Sequence, residues 1–154
     1  MKEILDTVGF FHEIRRQLRF GEFSRLPLRL QRFEVKGDLA ECDWFMRPPD
    51  PWDVHLPAQL REEHITQQAL RDALKIRELI FRGFSQVERA ELKMYRESED
   101  TAHELMMTGT VTRDTEVLAR VASVAMRAKL YGFRFSLDGG VLERVGSSGV
   151  HASC

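Results

Sequence analysis

Cysteine is scarce in this chain of 154 residues, which contains only Cys42 and Cys154. One cysteine inside a strand-like segment and one at the last position do not make the disulfide framework of a small secreted domain. Long apolar runs are lacking too, because Glu3 and Asp6 interrupt the first apolar segment and no other run reaches the length of a membrane span. We therefore expect a cytoplasmic protein with reduced cysteines and no membrane contact.

Sequence motifs of the common enzyme classes are also missing. The chain has no Gly-x-Ser-x-Gly, no phosphate-binding glycine loop, no Gly-x-Gly-x-x-Gly and no paired-cysteine zinc pattern. A net charge of −1 provides no overall field that would attract a polyanion. We accordingly predict no catalytic residues and no cofactor, so the sequence favours a non-enzymatic role without excluding catalysis.

The chain does contain enough apolar residues for a core, since they make up 43% of the total. A chain of this length hides roughly 70% of its surface on folding. Apolar spacing alternates between the helical and the strand period, in the order α-ββ-α-ββ-α-ββ. We predict an α+β fold in which successive hairpins form an antiparallel sheet covered by three helices, a two-layer sandwich. Residues 1–146 form a single domain in this interpretation, and residues 147–154 form a flexible tail.

Three segments have the apolar spacing of amphipathic helices. In the first, Val8 and Phe11 lie near the centre of the predicted apolar stripe. The second and longest starts at Pro57, which suits the first turn of a helix because its missing N–H group has no partner there. Asp114 or Thr115 is the predicted N-cap of the third. The predicted helical ranges are residues 2–20, 57–83 and 114–132.

The first predicted hairpin covers residues 26–46 and turns at Gly37-Asp38. A two-residue loop at this position places Phe33 opposite Cys42 and Arg32 opposite Asp43. The apolar alternation slips by one residue before Phe33, which predicts an irregularity in the first strand. The sequence therefore specifies the register of this hairpin.

Two further turns are predicted from glycine positions. In the second hairpin, Gly109 interrupts a strand-like segment and is interpreted as a bulge. In the third, Asp138-Gly139 is typical of a type I′ turn between two short strands.

One face of the predicted sheet has no helix to cover it. Alternation places Phe33, Val35 and Trp44 on one side of the first hairpin, and Leu39 and Phe45 on the other. Two apolar faces are hard to bury in a two-layer monomer, so we expect a homodimer or a cavity between the helices and the sheet. The alternative is that one face packs on the first helix and the other on the long helix or the loops. Our first hypothesis is a non-enzymatic binding or scaffolding module, dimeric, that uses an apolar sheet face or a helix–sheet groove. Its partner is another protein or a small apolar ligand.

A metal site is the alternative hypothesis, and it rests on the stretch MRPPDPWDVHLP at residues 46–57. Asp50, Asp53 and His55 are oxygen and nitrogen ligands in close succession, and His64 follows in the next helix. Two histidines and a carboxylate can hold a divalent transition metal. The spacing matches no established ligand pattern. This hypothesis describes a small metal-dependent enzyme with its site at residues 50–64.

The same stretch also has a purely structural interpretation. Pro48, Pro49 and Pro51 stiffen the chain, and the aspartates favour turns. Trp52 can pin the loop onto the body of the protein. The segment would then be a rigid corner between a strand and the longest helix.

The candidate ligand- or partner-binding residues are two tryptophans and two histidines, namely Trp44, Trp52, His55 and His64. Arginine-bearing helices suggest a further alternative, nucleic-acid binding, because guanidinium groups bind phosphates. Acidic residues such as Glu62 and Asp72 are interleaved with these arginines, as on an ordinary solvated helix. We therefore do not expect a nucleic-acid partner.

Overall fold

The computed structural model describes residues 7–18, 28–48, 55–97, 103–117, 120–121 and 123–145. Its helices are α1 (Thr7–Gln17), α2 (Ala58–Gly83) and α3 (Val124–Tyr131). Its main sheet contains, in spatial order, β1 (Arg29–Lys36), β2 (Leu39–Phe45), β3 (Arg89–Arg96), β4 (Glu104–Thr112) and β5 (Phe133–Arg134). Two short strands, β6 (Ser136–Asp138) and β7 (Val141–Glu143), form a separate hairpin. The predicted α+β class with three helices is confirmed for these ranges.

The five-stranded sheet is mixed rather than wholly antiparallel. β1 pairs with β2, β3 with β4 and β4 with β5 in antiparallel fashion, whereas β2 and β3 run parallel. The prediction of an all-antiparallel sheet is wrong at this one pair. Its physical reason is the crossover through α2, which returns the chain to the same end of the sheet before β3 begins.

The first hairpin has the register that the sequence predicts. Phe33 pairs with Cys42 and Arg32 pairs with Asp43, and the register shifts between Leu30 and Arg32. Of the two turn residues, only Gly37 has a positive φ, at 62°. This combination corresponds to a type II′ turn, whose twist matches that of the flanking strands.

The third helix is shorter than predicted. It starts at Val124, and the Ser123 side chain caps it by accepting a hydrogen bond of 3.2 Å from the Met126 N–H. The prediction of an N-cap at Asp114 or Thr115 is wrong. The Arg77 guanidinium of α2 instead donates a hydrogen bond of 3.2 Å to the Thr115 carbonyl, which ties this segment to α2 in a non-helical conformation.

The last hairpin is present, but it is separate from the main sheet, because Phe133 and Arg134 form β5 and pair with β4 instead of continuing into the hairpin. Its turn lies one residue later than predicted. Asp138 pairs with Val141, which leaves Gly139 and Gly140 in the turn. Their φ values of 62° and 85° are those of a type I′ turn. Two glycines adopt this conformation without the strain that an Asp at the first position would add.

The core lies between the helices and one face of the sheet, and α2 packs against both α1 and α3. Phe10 of α1 is fully buried and stacks on Phe33 of β1 at 4.1 Å between ring centroids. Ile14 and Leu18 are also buried, whereas Val8 is 64% exposed. The face of α1 that packs on the core is therefore rotated about the helix axis relative to the predicted face. Val8, near the centre of the predicted face, lies on the surface.

Gly109 marks a close approach between β4 and β5 rather than a bulge. It pairs regularly with Leu92, and the register shift of this hairpin lies between Met94 and Tyr95. A Cβ atom on Gly109 would lie 2.9 Å from the Gly132 carbonyl oxygen. The bulge prediction is wrong, because the glycine is needed to let two backbone segments touch.

Replacing Gly109 with Ala should lower the free energy of unfolding by about 1–3 kcal/mol, because neither backbone segment can move away freely. Urea unfolding measures this change. Thr110→Ala is the matched control on the same strand, and its exposed side chain predicts a change within about 0.5 kcal/mol. A Gly109→Ala variant as stable as the parent would contradict the close approach.

No helix within the described ranges combines the length and the apolar character that a membrane span requires. The boundary at residue 146 stays a prediction, and the predicted tail at residues 147–154 lies outside the described residues.

Candidate functional site

A large concave surface lies where α1 meets the start of β1, and we call it the α1–β1 groove. Its volume is about 1130 Å³, which is slightly above the range of roughly 300–1,000 Å³ that is usual for small-molecule sites. The groove forms because β1 is the edge strand of the sheet, with no further described strand beside it. The described residues that line it are Phe11, His12, Ile14, Arg15, Arg16, Leu28, Arg29, Leu30 and Phe45.

Apolar side chains form most of the wall of the groove. Ile14 and Leu28 are buried parts of the core, whereas Phe11, Leu30 and Phe45 are half-buried. Half-buried apolar side chains on a concave wall still have surface that a ligand could cover. The groove can therefore gain free energy by burying an apolar chain.

Three arginines stand around this apolar wall. Arg16 pairs with Glu13 at 2.7 Å, and Arg29 pairs with Glu97 at 2.6 Å. Arg15 is exposed and has no hydrogen-bond or ion-pair partner within the part of the chain that the structure describes. A hydrogen bond from Gln17, with help from Arg16, lowers the pKa of Glu13, so that carboxylate stays ionised and continues to pair with Arg16. Arg15 consequently remains available for an anion.

The sheet face that points away from the described helices is charged in the first hairpin. Arg32 donates hydrogen bonds to Glu34 at 3.1 Å, to Glu41 at 3.0 Å and to Asp43 at 3.4 Å. The Arg32 hydrogen bond lowers the pKa of Glu41, and the same bond raises the pKa of Arg32. The expectation that both faces of this hairpin are apolar is wrong for the outer face, where apolar residues such as Phe45 lie only at the ends of the strand.

A buried ion pair joins the end of β2 to the middle of α2. The Arg47 guanidinium donates two hydrogen bonds to the Asp72 carboxylate, of 2.8 and 3.0 Å, and both side chains are 1% exposed. The Gln68 amide donates a third, of 3.0 Å, to the same carboxylate. Burial raises the pKa of Asp72, and Arg47 and Gln68 oppose that rise. This pair fixes the chain just beyond the end of β2.

A second cavity of about 200 Å³ lies beside this ion pair, and we call it the strand-end cavity. It is located where the parallel strands β2 and β3 both end, next to the first half of α2. The described residues that line it are Met46, Arg47, Pro48, Glu62, Ile65, Thr66, Arg96, Glu97, Met106, Val141 and Leu142.

Trp44 is fully buried in the core. Its indole N–H has no hydrogen-bond partner in the described structure. A ligand could reach this side chain only through the core, so Trp44 belongs to neither the groove nor the cavity. The role that its position supports is packing under the helices.

The metal candidates are only partly described. Asp50 and Asp53 lie outside the described residues, as does the candidate binding residue Trp52. His55 is exposed in the turn before α2, and His64 is half-buried on that helix. Within the described ranges, no group of three or more His, Cys, Asp or Glu side chains could hold a metal ion. Metal binding at residues 50–64 stays a prediction.

Cys42 points into the core from β2. It is fully buried, and burial raises the pKa of its thiol far above the usual value. A thiol that does not ionise is a poor nucleophile. This side chain fills space and does not offer a reactive group.

The basic residues of α2 are partly paired with acidic residues of the same helix. Arg82 pairs with Glu78, and Lys75 lies 3.6 Å from the same carboxylate. Such pairs reduce the charge that a phosphate backbone would meet. Nucleic-acid binding through this helix finds no support from these contacts.

The groove residues were not among the candidates from the sequence. His12, Arg15 and Arg16 are on α1, Arg29 and Leu30 are on β1, and nothing in the linear pattern shows that these segments lie together. One available hint was the cluster of arginines at the end of the first predicted helix. Comparison with protein-family models, with curated proteins and with solved structures finds no match for this chain.

Proposed function

We propose that this protein is a non-enzymatic binding module whose α1–β1 groove holds a single-chain anionic amphiphile, such as a fatty carboxylate. The single observation that carries the proposal is the combination of an apolar wall with the guanidinium of Arg15, which has no partner among the described residues. The helix–sheet groove of our first hypothesis is thus retained, and the apolar sheet face is not.

The apolar wall supports the hydrocarbon part of the ligand. Each methylene that leaves water contributes about 0.8 kcal/mol. Phe11, Leu30 and Phe45 are the half-buried side chains against which such a chain would pack.

The charge around the groove supports an anionic head group. Arg16 and Arg29 already have carboxylate partners, and Arg15 adds a positive charge that no described carboxylate compensates. Arginine binds carboxylates with two parallel hydrogen bonds where the geometry allows, which favours this head group over a hydroxyl. His12 is exposed beside the groove and adds a further donor.

A small ligand fits these observations better than a protein partner does. A protein interface of standard size buries about 800 Å² on each side and normally needs a broad apolar centre. On the outer sheet face, a charged network centred on Arg32 stands where such a centre would lie. The predicted homodimer and the predicted protein partner stay predictions.

Dodecanoate should bind the protein in calorimetric titrations below its micellar concentration, and Arg15→Glu should weaken the binding about 5- to 10-fold. The charge reversal replaces an attraction at the rim with a repulsion. Arg120→Glu is the matched control, because Arg120 is exposed and does not line the groove.

Dodecanol tests the contribution of the head group, since the affinity for this uncharged alcohol should not respond to Arg15→Glu. Shortening dodecanoate to decanoate should cost about 15-fold in affinity if both methylenes are buried.

Two results would contradict the proposal. Equal effects of Arg15→Glu and Arg120→Glu would show that only overall charge matters. Affinity that does not depend on chain length would show that the apolar wall takes no part.

A further inference from the structure

The strand-end cavity is separate from the α1–β1 groove, and no described residue lines both. It lies at the carboxyl ends of β2 and β3, the one parallel pair of the sheet. In folds with parallel strands, small ligands bind at this end, outside the strands and next to the following helix.

Four of the five polar side chains that line the cavity have partners inside the protein, and the fifth, Glu62, is exposed to solvent. Arg47 binds Asp72 with two hydrogen bonds. The Thr66 hydroxyl accepts a hydrogen bond of 2.9 Å from the Leu142 N–H. The other two charged strand-end residues are also paired, Arg96 with Glu104 and Glu97 with Arg29.

The remaining wall is apolar. It consists of a proline ring, two thioethers and three aliphatic side chains, namely Pro48, Met46, Met106, Ile65, Val141 and Leu142. Apart from the exposed Glu62 carboxylate, every described charged group around the cavity has a protein partner, so the enclosed part of the wall offers a ligand apolar surface. Cavities of about 150 Å³ with apolar linings take up benzene, so the volume of about 200 Å³ fits a molecule of one substituted ring.

The β6–β7 hairpin covers this cavity. Leu142 of β7 is 5% exposed, and its N–H binds Thr66 of α2. At the turn, Gln59 donates a hydrogen bond of 2.9 Å to the Gly139 carbonyl. After β7, the Val145 N–H donates one of 2.7 Å to the Leu105 carbonyl of β4. Within the described residues, the hairpin strands pair only with each other and not with the main sheet.

A two-stranded hairpin is marginally stable by itself. Because its strands make no ladder with the main sheet, it can lift while that sheet stays paired, at the cost of the three hydrogen bonds and of removing Leu142 from the core. We propose that the strand-end cavity binds a small, uncharged, apolar molecule about the size of a substituted benzene, and that the β6–β7 hairpin is the lid that lifts to admit it.

Methyl NMR of the full chain, titrated with benzene, tests the site. The methyl resonances of Met46 and Met106 should shift because the ring current of bound benzene reaches them. Those of Met94, in the core, and Met126, on the surface, should not shift. Val141→Phe should fill the cavity and weaken benzene binding more than 10-fold. Leu137→Phe is the matched control, because Leu137 is in the same hairpin but does not line the cavity.

Amide hydrogen exchange tests the lid. The Leu142 amide exchanges from the form with the lid lifted, and that form does not hold the ligand. At a benzene concentration of ten times Kd, its exchange should therefore slow about 11-fold. The Leu18 amide at the end of α1 should exchange at an unchanged rate, because its bond to the Ile14 carbonyl is far from the lid.

Each negative result overturns a stated part of the proposal. The site assignment fails if a folded protein shows no shift at millimolar benzene, if all methionines shift alike, or if Val141→Phe binds as well as Leu137→Phe. If Met46 and Met106 shift but the Leu142 amide exchanges as before, the site stands and the lid is wrong.

Discussion

Replacing Arg47 with Met should lower the free energy of unfolding by about 3–5 kcal/mol, because the change leaves the Asp72 carboxylate buried without its cation. Urea or thermal unfolding measures the loss. Arg32→Met is the matched control, since it removes an arginine whose side chain is 41% exposed. Surface ion pairs contribute about 0–1 kcal/mol, so the control should remain close to the parent protein.

The double variant Arg47→Met, Asp72→Leu should recover most of this loss. A buried ion pair that is replaced by apolar side chains of similar volume is often neutral or even stabilising. Gln68 then loses its acceptor, and this unsatisfied amide limits the recovery. A double variant that is less stable than Arg47→Met would contradict this expectation. It would show that the two side chains stabilise the fold by more than cancelling each other's buried charge.

The Arg47→Met variant should also respond to pH differently from the parent. Burial already raises the pKa of Asp72, and removal of the guanidinium raises it further. A carboxyl whose folded-state pKa lies above its unfolded value contributes stability at low pH and loses it as the pH rises through the folded pKa. The difference in the free energy of unfolding between variant and parent should therefore become smaller as the pH falls from 7 toward the range in which carboxyl groups ordinarily titrate.

The second large effect concerns Trp44, whose replacement by Ala should cost about 3–5 kcal/mol. The side chain is fully buried, so the truncation leaves a cavity that the sheet and the helices cannot close. Trp44→Phe should cost much less, because it keeps an aromatic ring and removes an indole N–H that has no described partner. The pair of variants is compared by urea unfolding.

The same two variants decide between packing and binding for this residue. If Trp44 acts only in the core, Trp44→Phe should bind dodecanoate and benzene as the parent does. A Trp44→Phe variant that folds normally but loses either ligand would restore the binding role predicted from the sequence.

Local patterns in the sequence predicted local structure well. The Gly37-Asp38 turn and the alternation around it were sufficient to pair Phe33 with Cys42, as observed. The bounds of α2 were also predicted closely, since Pro57 and Gly83 mark a helix start and a helix end. In both cases the residues that determine the structure are neighbours in the chain.

Relations between distant segments could not be predicted in this way. A strand has the same alternation of apolar and polar residues whether its neighbour is parallel or antiparallel. No sequence pattern therefore indicated the parallel pairing of β2 with β3. Gly109 was interpreted as a bulge because its partner, the Gly132 carbonyl, is contributed by another part of the chain. The two candidate sites could not be predicted for the same reason, because each is formed by separate segments of the chain. The groove lies between α1 and β1, and the cavity lies between the ends of β2 and β3, α2 and β7.

The parallel pairing of β2 with β3 has a consequence for how the chain folds. Every pair in this ladder, from Leu39 with Arg89 to Phe45 with Tyr95, joins residues separated by 50 positions. The two flanking hairpins close over short distances, whereas this ladder must wait until α2 has spanned the gap, and non-local pairing is slow. The centre of the finished sheet is therefore expected to be the last part of it to assemble.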